Sequence, residues 1–232
     1  SYHMIPRLAW TSGVVYDRYQ HNYTIVNKSF SGASNLYDAR FFVINSLNTV
    51  YVCLDNDGNT PSTVEPQGAT DDAFYTSDGY QWLRMYSLDS DILEMRSTNN
   101  LMPIAPIAAN QQQDGAVYSV LINDGGFLYT TNPAGATNQI SAYYARIEGD
   151  GSGAVAKVTI TNAVVSKIEV VRNGLGYTFA ELDFSANNVY QTLSDLDLSV
   201  NGLNPEGNGG LRTTVVISPP GGWGSDFVRQ LG

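Results

Sequence analysis

Only one cysteine, Cys53, occurs in the 232 residues, so no disulfide can form within the chain. A small scaffold held together by disulfides is excluded. Cys53 falls in the apolar run Val50-Tyr51-Val52-Cys53-Leu54, where a free thiol behaves as a small buried hydrophobe. Histidine is almost missing. His3 and His21 are the two that occur; with His3 read as part of a cloning remnant, a multi-histidine metal site is excluded and a Ser-His-Asp arrangement has one imidazole to use, His21. Lysine is also scarce, limited to Lys28, Lys157 and Lys167. The formal net charge is −10 and the arginines are scattered, so nucleic acid is not an expected partner. An anionic membrane surface is disfavoured on the same ground. No apolar run approaches the ~20 residues that a spanning helix needs, and no membrane partner is expected.

Strong helix formers are sparse, whereas β-branched and aromatic residues are common, with 15 Tyr and 22 Gly. The balance predicts a mainly β fold: two β-rich domains or subdomains of antiparallel sandwich or barrel type, one inserted in the other, with little helix. A chain of this size can bury roughly 70% of its unfolded surface and needs no metal or cross-link to hold together.

The stretch from Thr49 to Tyr86 is read as the packing nucleus. Val50, Val52 and Leu54 lie on one face of an extended chain, and Tyr51 and Cys53 on the other. After the turn Asp55-Asn56-Asp57-Gly58-Asn59 and an irregular loop comes a second strand, Asp78 to Tyr86. There Tyr80, Trp82 and Tyr86 share one parity and Leu83 and Met85 the other. Both strands carry bulk on both faces, so both are expected to be covered.

Around this nucleus, Ser1 to Met4 read as a cloning remnant ahead of the fold. Tyr23 to Val26 is a predicted strand. Phe41 to Ile44 and Val50 to Leu54 form a predicted hairpin. The first β domain is assigned to residues 5–104, with the boundary placed near residues 103–115. Met102-Pro103-Ile104-Ala105-Pro106 reads as a stiff connector. Residues 105–218 form the second domain. In it, Val117 to Ile122 and Phe127 to Tyr129 are read as a hairpin, and a Gly-rich three-strand meander runs from residue 140 to 172. A short helix is placed within Ala186 to Val200, on the spacing of Val189, Leu193, Leu196 and Val200. Residues 219–232 are an irregular C-terminal segment that returns to the first domain.

Candidate chemistry is thin. Asp55-Asn56-Asp57-Gly58 faintly resembles a calcium loop, but the closing Glu is not at the required spacing, and the same residues are ordinary turn formers. The acidic groups Asp71, Asp72, Asp78 and Asp89, Asp91, Glu94 read as solvated clusters before they read as a glycosidase pair. Gly149-Asp150-Gly151-Ser152-Gly153 is not a nucleophile elbow, because Asp150 stands where Ser152 would need a glycine. It lacks the Lys-Ser/Thr pair of a phosphate loop. No catalytic residue, cofactor or metal ligand is assigned. Most tyrosines are expected in the core, with a minority at interfaces.

Several short motifs occur together in order: Ile5-Pro6-Arg7 with Trp10, Val52-Cys53-Leu54-Asp55, Ser62-Thr63-Val64-Glu65-Pro66, Asp78-Gly79-Tyr80 with Trp82 and Tyr86, and Pro219-Pro220-Gly221-Gly222 with Gly224 and Asp226. The set resembles a baseplate wedge subunit of the T-even-like contractile-tailed bacteriophages, and among them the marine cyanophage type. The resemblance implies a structural protein of the tail baseplate without catalytic residues, assembled in the host cytoplasm into the virion. It implies a homodimer beside other wedge proteins, and a chain that is partial at both ends. Ile5, Trp10 and Trp223 are the candidate interface residues. The competing expectation, from the abundance of Tyr and Trp beside Asp and Asn, is a carbohydrate-binding or carbohydrate-active viral β protein.

Overall fold

A computed structural model of the chain describes residues 3–70, 72–105, 113–131, 141–205 and 210–226. The chain divides into two compact units. Unit 1 joins residues 1–113 to residues 219–232, and unit 2 is the stretch between them, 114–218. In both, every pairing between named strands is antiparallel among the described residues.

Unit 1 contains β1 (Met4–Pro6), β2 (Phe42–Ile44), β3 (Thr49–Asn56), β4 (Phe74–Tyr75), β5 (Tyr80–Ser87), α1 (Ser90–Arg96) and β6 (Leu101–Pro103). Its main sheet has the order β2-β3-β5-β4, and β1 pairs separately with β6. The apolar run of β3 is buried on both faces: Val50, Tyr51, Val52, Cys53 and Leu54 are all within the core. Cys53 lies opposite Trp82 and Val52 opposite Leu83. Trp82 stacks on Tyr80 at 5.4 Å, and Tyr16 meets Trp82 edge-on at 5.9 Å. A second ring cluster joins Tyr19, Phe41, Phe42 and Trp223, with Tyr19 and Trp223 only 4.4 Å apart. Edge-to-face contacts of this kind add to the free energy of burial. Through Trp223 the C-terminal piece belongs to the core of unit 1.

Unit 2 contains β7 (Val117–Gly125), β8 (Ala142–Gly149), β9 (Ser152–Thr161), β10 (Val164–Leu175), β11 (Ala180–Leu182), β12 (Val189–Tyr190), α2 (Leu193–Leu198) and β13 (Leu211–Ile217). The meander β8-β9-β10 is present, extended by β11 and β12 on the far side of β8. A three-strand meander needs a second apolar layer. The β7–β13 ribbon supplies it: Val117, Val120, Val215 and Ile217 share one core with Tyr143, Ala145, Val158 and Ile168. The two ends of unit 2 leave side by side. Val117 lies opposite Ile217, and Ser218 donates its N–H to the Ala116 carbonyl while Ala116 N–H donates to Ser218 Oγ. Gly115 sits against the far end of the meander. Its φ is +62°, and a Cβ there would lie 2.3 Å from the Tyr177 nitrogen.

Several expectations need correction. His3 and Met4 do not stand outside the fold. Met4 lies opposite Pro103 in the β1–β6 pair, and the His3 carbonyl accepts the Ile104 N–H. Leu101 to Pro103 is a paired strand and not a connector, since Pro103 ends an edge strand, where a missing N–H is tolerated. The break between the units falls after residue 113, inside the 103–115 stretch where the boundary is expected. Pro106, in the expected connector, lies outside the described residues. Tyr23 to Val26 is not a strand. The chain reverses there, with Thr24 and Asn27 exchanging backbone hydrogen bonds. Ile25 and Val26 are 80% and 91% exposed, and β propensity without a neighbour to pack on does not make a strand. Phe127 to Tyr129 does not return along β7, whose partner is the distant β13. The helix in 186–200 is limited to Leu193–Leu198. Val189 and Tyr190 pair with Ala145 and Tyr144, and the Thr192 side chain caps the helix by accepting the Asp195 N–H. Helix α1 had no counterpart in the sequence reading.

Because Trp82 is fully buried between Tyr16 and Tyr80, Trp82→Ala is expected to lower the unfolding free energy by about 3–5 kcal/mol, measured by urea denaturation. Burial also holds the Cys53 thiol well above its ordinary pKa. The native protein should therefore leave a thiol reagent unreacted until denaturant unfolds unit 1.

Candidate functional site

The acidic residues picked out in the sequence are distributed by the fold to separate tasks. In the Asp55–Gly58 turn, Asp55 Oδ1 accepts the Asp57 N–H and Asp57 Oδ2 accepts the Thr60 hydroxyl, so the side chains close the turn. Burial raises the Asp55 pKa, with Arg18 acting in the opposite direction. Among the described residues no group of three or more His, Cys, Asp or Glu side chains could hold a metal ion. Asp71 lies outside the described residues, and Asp72 is exposed. Asp89, Asp91 and Glu94 lie on the exposed surface at the start and along one side of α1. Negative charge in a first turn favours the helix, so Asp91 has a local structural use.

Asp78 is a hub. Its Oδ2 accepts from Ser62 Oγ at 3.0 Å, Thr63 N at 2.7 Å and Val64 N at 2.9 Å, and its Oδ1 accepts from Thr76 Oγ1 at 2.5 Å. Burial pushes this carboxyl up, but the hydrogen bonds from Thr76, Val64, Thr63 and Ser62 outweigh it and hold the pKa below the usual carboxylate range. Every acceptor position points at the protein's own backbone and hydroxyls. That suits a brace between two loops, and not a general acid, which needs a raised pKa.

The three candidate interface residues also separate. Ile5 and Trp223 are 0% and 1% exposed inside unit 1, so neither offers a surface to a partner. Their apolar bulk is spent on the β1–β6 layer and on the Tyr19 ring cluster. Trp10 is half-buried and donates its indole N–H to Ser62 Oγ at 3.1 Å. With Trp82 and Trp223 both buried, a glycan-stacking platform loses two of the three indoles it could use.

Two surface features of the described residues bear on function. On unit 2 a groove of about 310 Å³ is lined by Arg146, Glu148, Ser152, Arg172, Tyr177 and Asp197, among others. Its cations are already engaged. Arg172 makes a two-pronged ion pair with Asp197 at 2.5 and 2.8 Å. Arg146 donates to the Leu196 carbonyl and to Ser199 Oγ, clamping the C-terminal end of α2, and lies over the Tyr190 ring. The Tyr177 hydroxyl donates to the Ile147 carbonyl and accepts the Ala154 N–H. The groove is thus a seam between helix and sheet, tied from both sides.

Comparison with protein-family models, curated proteins and solved structures gives no match. The chain's own surface has to carry the functional reading.

The second feature is a loop of unit 1, residues 18–40, between the buried Tyr16-Asp17 pair and β2. Asp17 is 1% exposed, and its carboxylate accepts the Ser31 N–H at 2.8 Å, the Ser31 hydroxyl at 2.6 Å and the Arg40 N–H at 2.7 Å. One buried carboxylate therefore pins the loop at two distant points. At the tip, the Thr24–Asn27 backbone pair is reinforced by Thr24 Oγ1, which accepts the Val26 and Asn27 N–H groups. The Asn27 amide donates back to Asn22. On this fixed frame Ile25, Val26, Phe30 and Tyr37 are each more than half exposed. His21 is exposed at its head. Sequence reading missed this site because Tyr-Thr-Ile-Val has the composition of a strand. The available signal was the Asn on each side, Asn22 and Asn27, which closes a turn.

Asp78→Asn should destabilise the protein by about 1–3 kcal/mol at pH 7, since it replaces a charged acceptor of several hydrogen bonds. The folded-state pKa is lowered, so the stabilisation is fully present above the unfolded value and is lost as the pH falls through the folded one. The gap between wild type and variant, followed by denaturation at a series of pH values, should shrink below about pH 4.

Proposed function

We propose that this chain is a structural subunit of a contractile-tail baseplate wedge, working through protein–protein contacts and carrying out no bond-making step. The observation that carries the reading is the 18–40 loop. A buried carboxylate fixes the frame of this irregular segment at Ser31 and Arg40, a closed turn fixes its tip, and Ile25 and Val26 stand side by side in water on that tip. Exposed apolar side chains on a fixed frame are the usual form of an interaction site. The motif order from Ile5-Pro6-Arg7 to Pro219-Pro220-Gly221-Gly222 supports the assignment to the wedge. In this reading the chain's partners are other wedge proteins and its place is the tail baseplate of the virion, reached by assembly in the host cytoplasm.

Electron microscopy of intact tails containing the chain should place its density in the baseplate, in contact with neighbouring proteins. Turnover of a glycan by the purified protein, abolished by exchanging a single carboxylate or hydroxyl side chain, would overturn the proposal.

A further inference from the structure

The 18–40 loop differs from the rest of the chain in charge, and Val26 at its tip is the most exposed of the large apolar side chains among the described residues. The whole sequence has 22 acidic residues against 12 Lys and Arg. Within residues 18–40 the balance is reversed: Arg18, Lys28 and Arg40 stand against Asp38, with His21 in addition. Lys28 and Arg40 are exposed, and Lys28 is one of only three lysines. The single carboxylate immediately before the loop, Asp17, is buried and turned onto Ser31 and Arg40 backbone groups. The loop therefore shows an apolar tip with Lys28 next to it in the chain and Arg40 at its base, on an otherwise acidic protein.

Resting on the assembly reading above, we propose that this loop is a docking plug: Ile25 and Val26 insert into an apolar recess of a protein partner whose rim is acidic and faces Lys28 and Arg40. Three physical points favour that occupant. Ile and Val are stiff at χ1 and lose little side-chain freedom on insertion. The tip is already closed by the Thr24–Asn27 pair and the Asn27–Asn22 bonds, so the bound shape is formed before contact. Opposite charge around the recess steers encounter and fixes orientation, while like charge on the remaining acidic surface suppresses other faces. An apolar anchor with charge outside it is the usual division of an interface. A lipid surface fits less well, because the remaining charge of the chain would be repelled by anionic headgroups.

The test is site-specific photo-crosslinking from position 26 of the full chain during tail assembly, with the attached peptide identified by mass spectrometry. The expected product joins position 26 to a different protein, at a segment in which Asp and Glu surround apolar residues. Ile25→Ser, read with the crosslinker still at position 26, should reduce the yield about tenfold or more, the effect of truncating an interface anchor. Lys28→Glu with Arg40→Glu should reduce it as well, and raising the salt concentration should slow the wild-type reaction. All three side chains are exposed, and unchanged thermal unfolding would show that the variants still fold.

A crosslink to a second copy of this chain, or none in tails that do contain the chain, overturns the docking proposal, while the place of the chain's density in those tails decides the assembly reading separately. A crosslink to an acidic recess of a protein that is not part of a tail supports the docking proposal and overturns the assembly reading. Co-sedimentation with phosphatidylcholine/phosphatidylglycerol vesicles that is lost in Ile25→Ser/Val26→Ser would assign the tip to a lipid surface and overturn the plug.

Discussion

The pairing of β3 with β5 is the constraint on which the rest of unit 1 depends. Val50 to Leu54 and Tyr80 to Tyr86 are buried on both faces, so neither strand can be left at an edge or against water. Each face must be covered by chain from elsewhere. Tyr16 and Tyr19 arrive from the N-terminal segment, Phe41 and Phe42 from the strand beside it, and Trp223 from beyond unit 2. A chain organised in this way must bring its two ends to one core. The long irregular segments between the strands are then the cost of reaching both faces of a central pair.

Those irregular segments are held by carboxylates. Asp17 collects Ser31 and Arg40, Asp78 collects Ser62 to Val64 and Thr76, and Asp150 collects Thr178 and Phe179. At Asp150 the Thr178 hydroxyl and the Thr178 and Phe179 N–H groups bring the carboxyl down to about 2. Segments without a ladder still have backbone groups to satisfy, and an ionised acceptor can take several at once. Part of the acidic surplus is therefore structural. The same residue types that suggest paired catalytic acids are here braces, each facing its own set of donors.

The sequence made the central strands legible because their signal is local. Val50 to Leu54, Tyr80 to Tyr86 and the meander from Tyr143 to Val170 are short runs of β-branched and aromatic residues bounded by Gly, Asn and Asp, and the mainly β class follows from them. What could not be read depended on distant partners. Nothing near Val117 says that it pairs with Ile217, and the nearer Phe127-Leu128-Tyr129 looked like the better match. Val189 and Leu193 have helical spacing, but Val189 finds a place against Ala145 in β8. Trp223 and Ile5 stand as interface candidates only through the motifs of the resemblance; their partners in the core lie far along the chain, so nothing local to them shows that they are buried. Phe30 to Asn35 reads as a Gly/Ser/Asn-rich loop and is one, but Tyr23 to Val26 reads as a strand for the opposite reason. Its strand-like composition is genuine, and only the absence of a packing neighbour, a property of the fold, leaves Ile25 and Val26 in water.

The way unit 2 begins and ends has a bearing on how such a chain can change. Ala116 and Ser218 are bonded to each other, so the inserted stretch enters and leaves within roughly one strand spacing, about 5 Å. Its host has only to tolerate a gap of that width, whatever lies beyond it. The insert is in effect a cassette, and a different β module with the same closed neck could stand in its place without re-threading the core around Trp82. Variation in length and surface can therefore accumulate in one half of the molecule while the other half keeps its register.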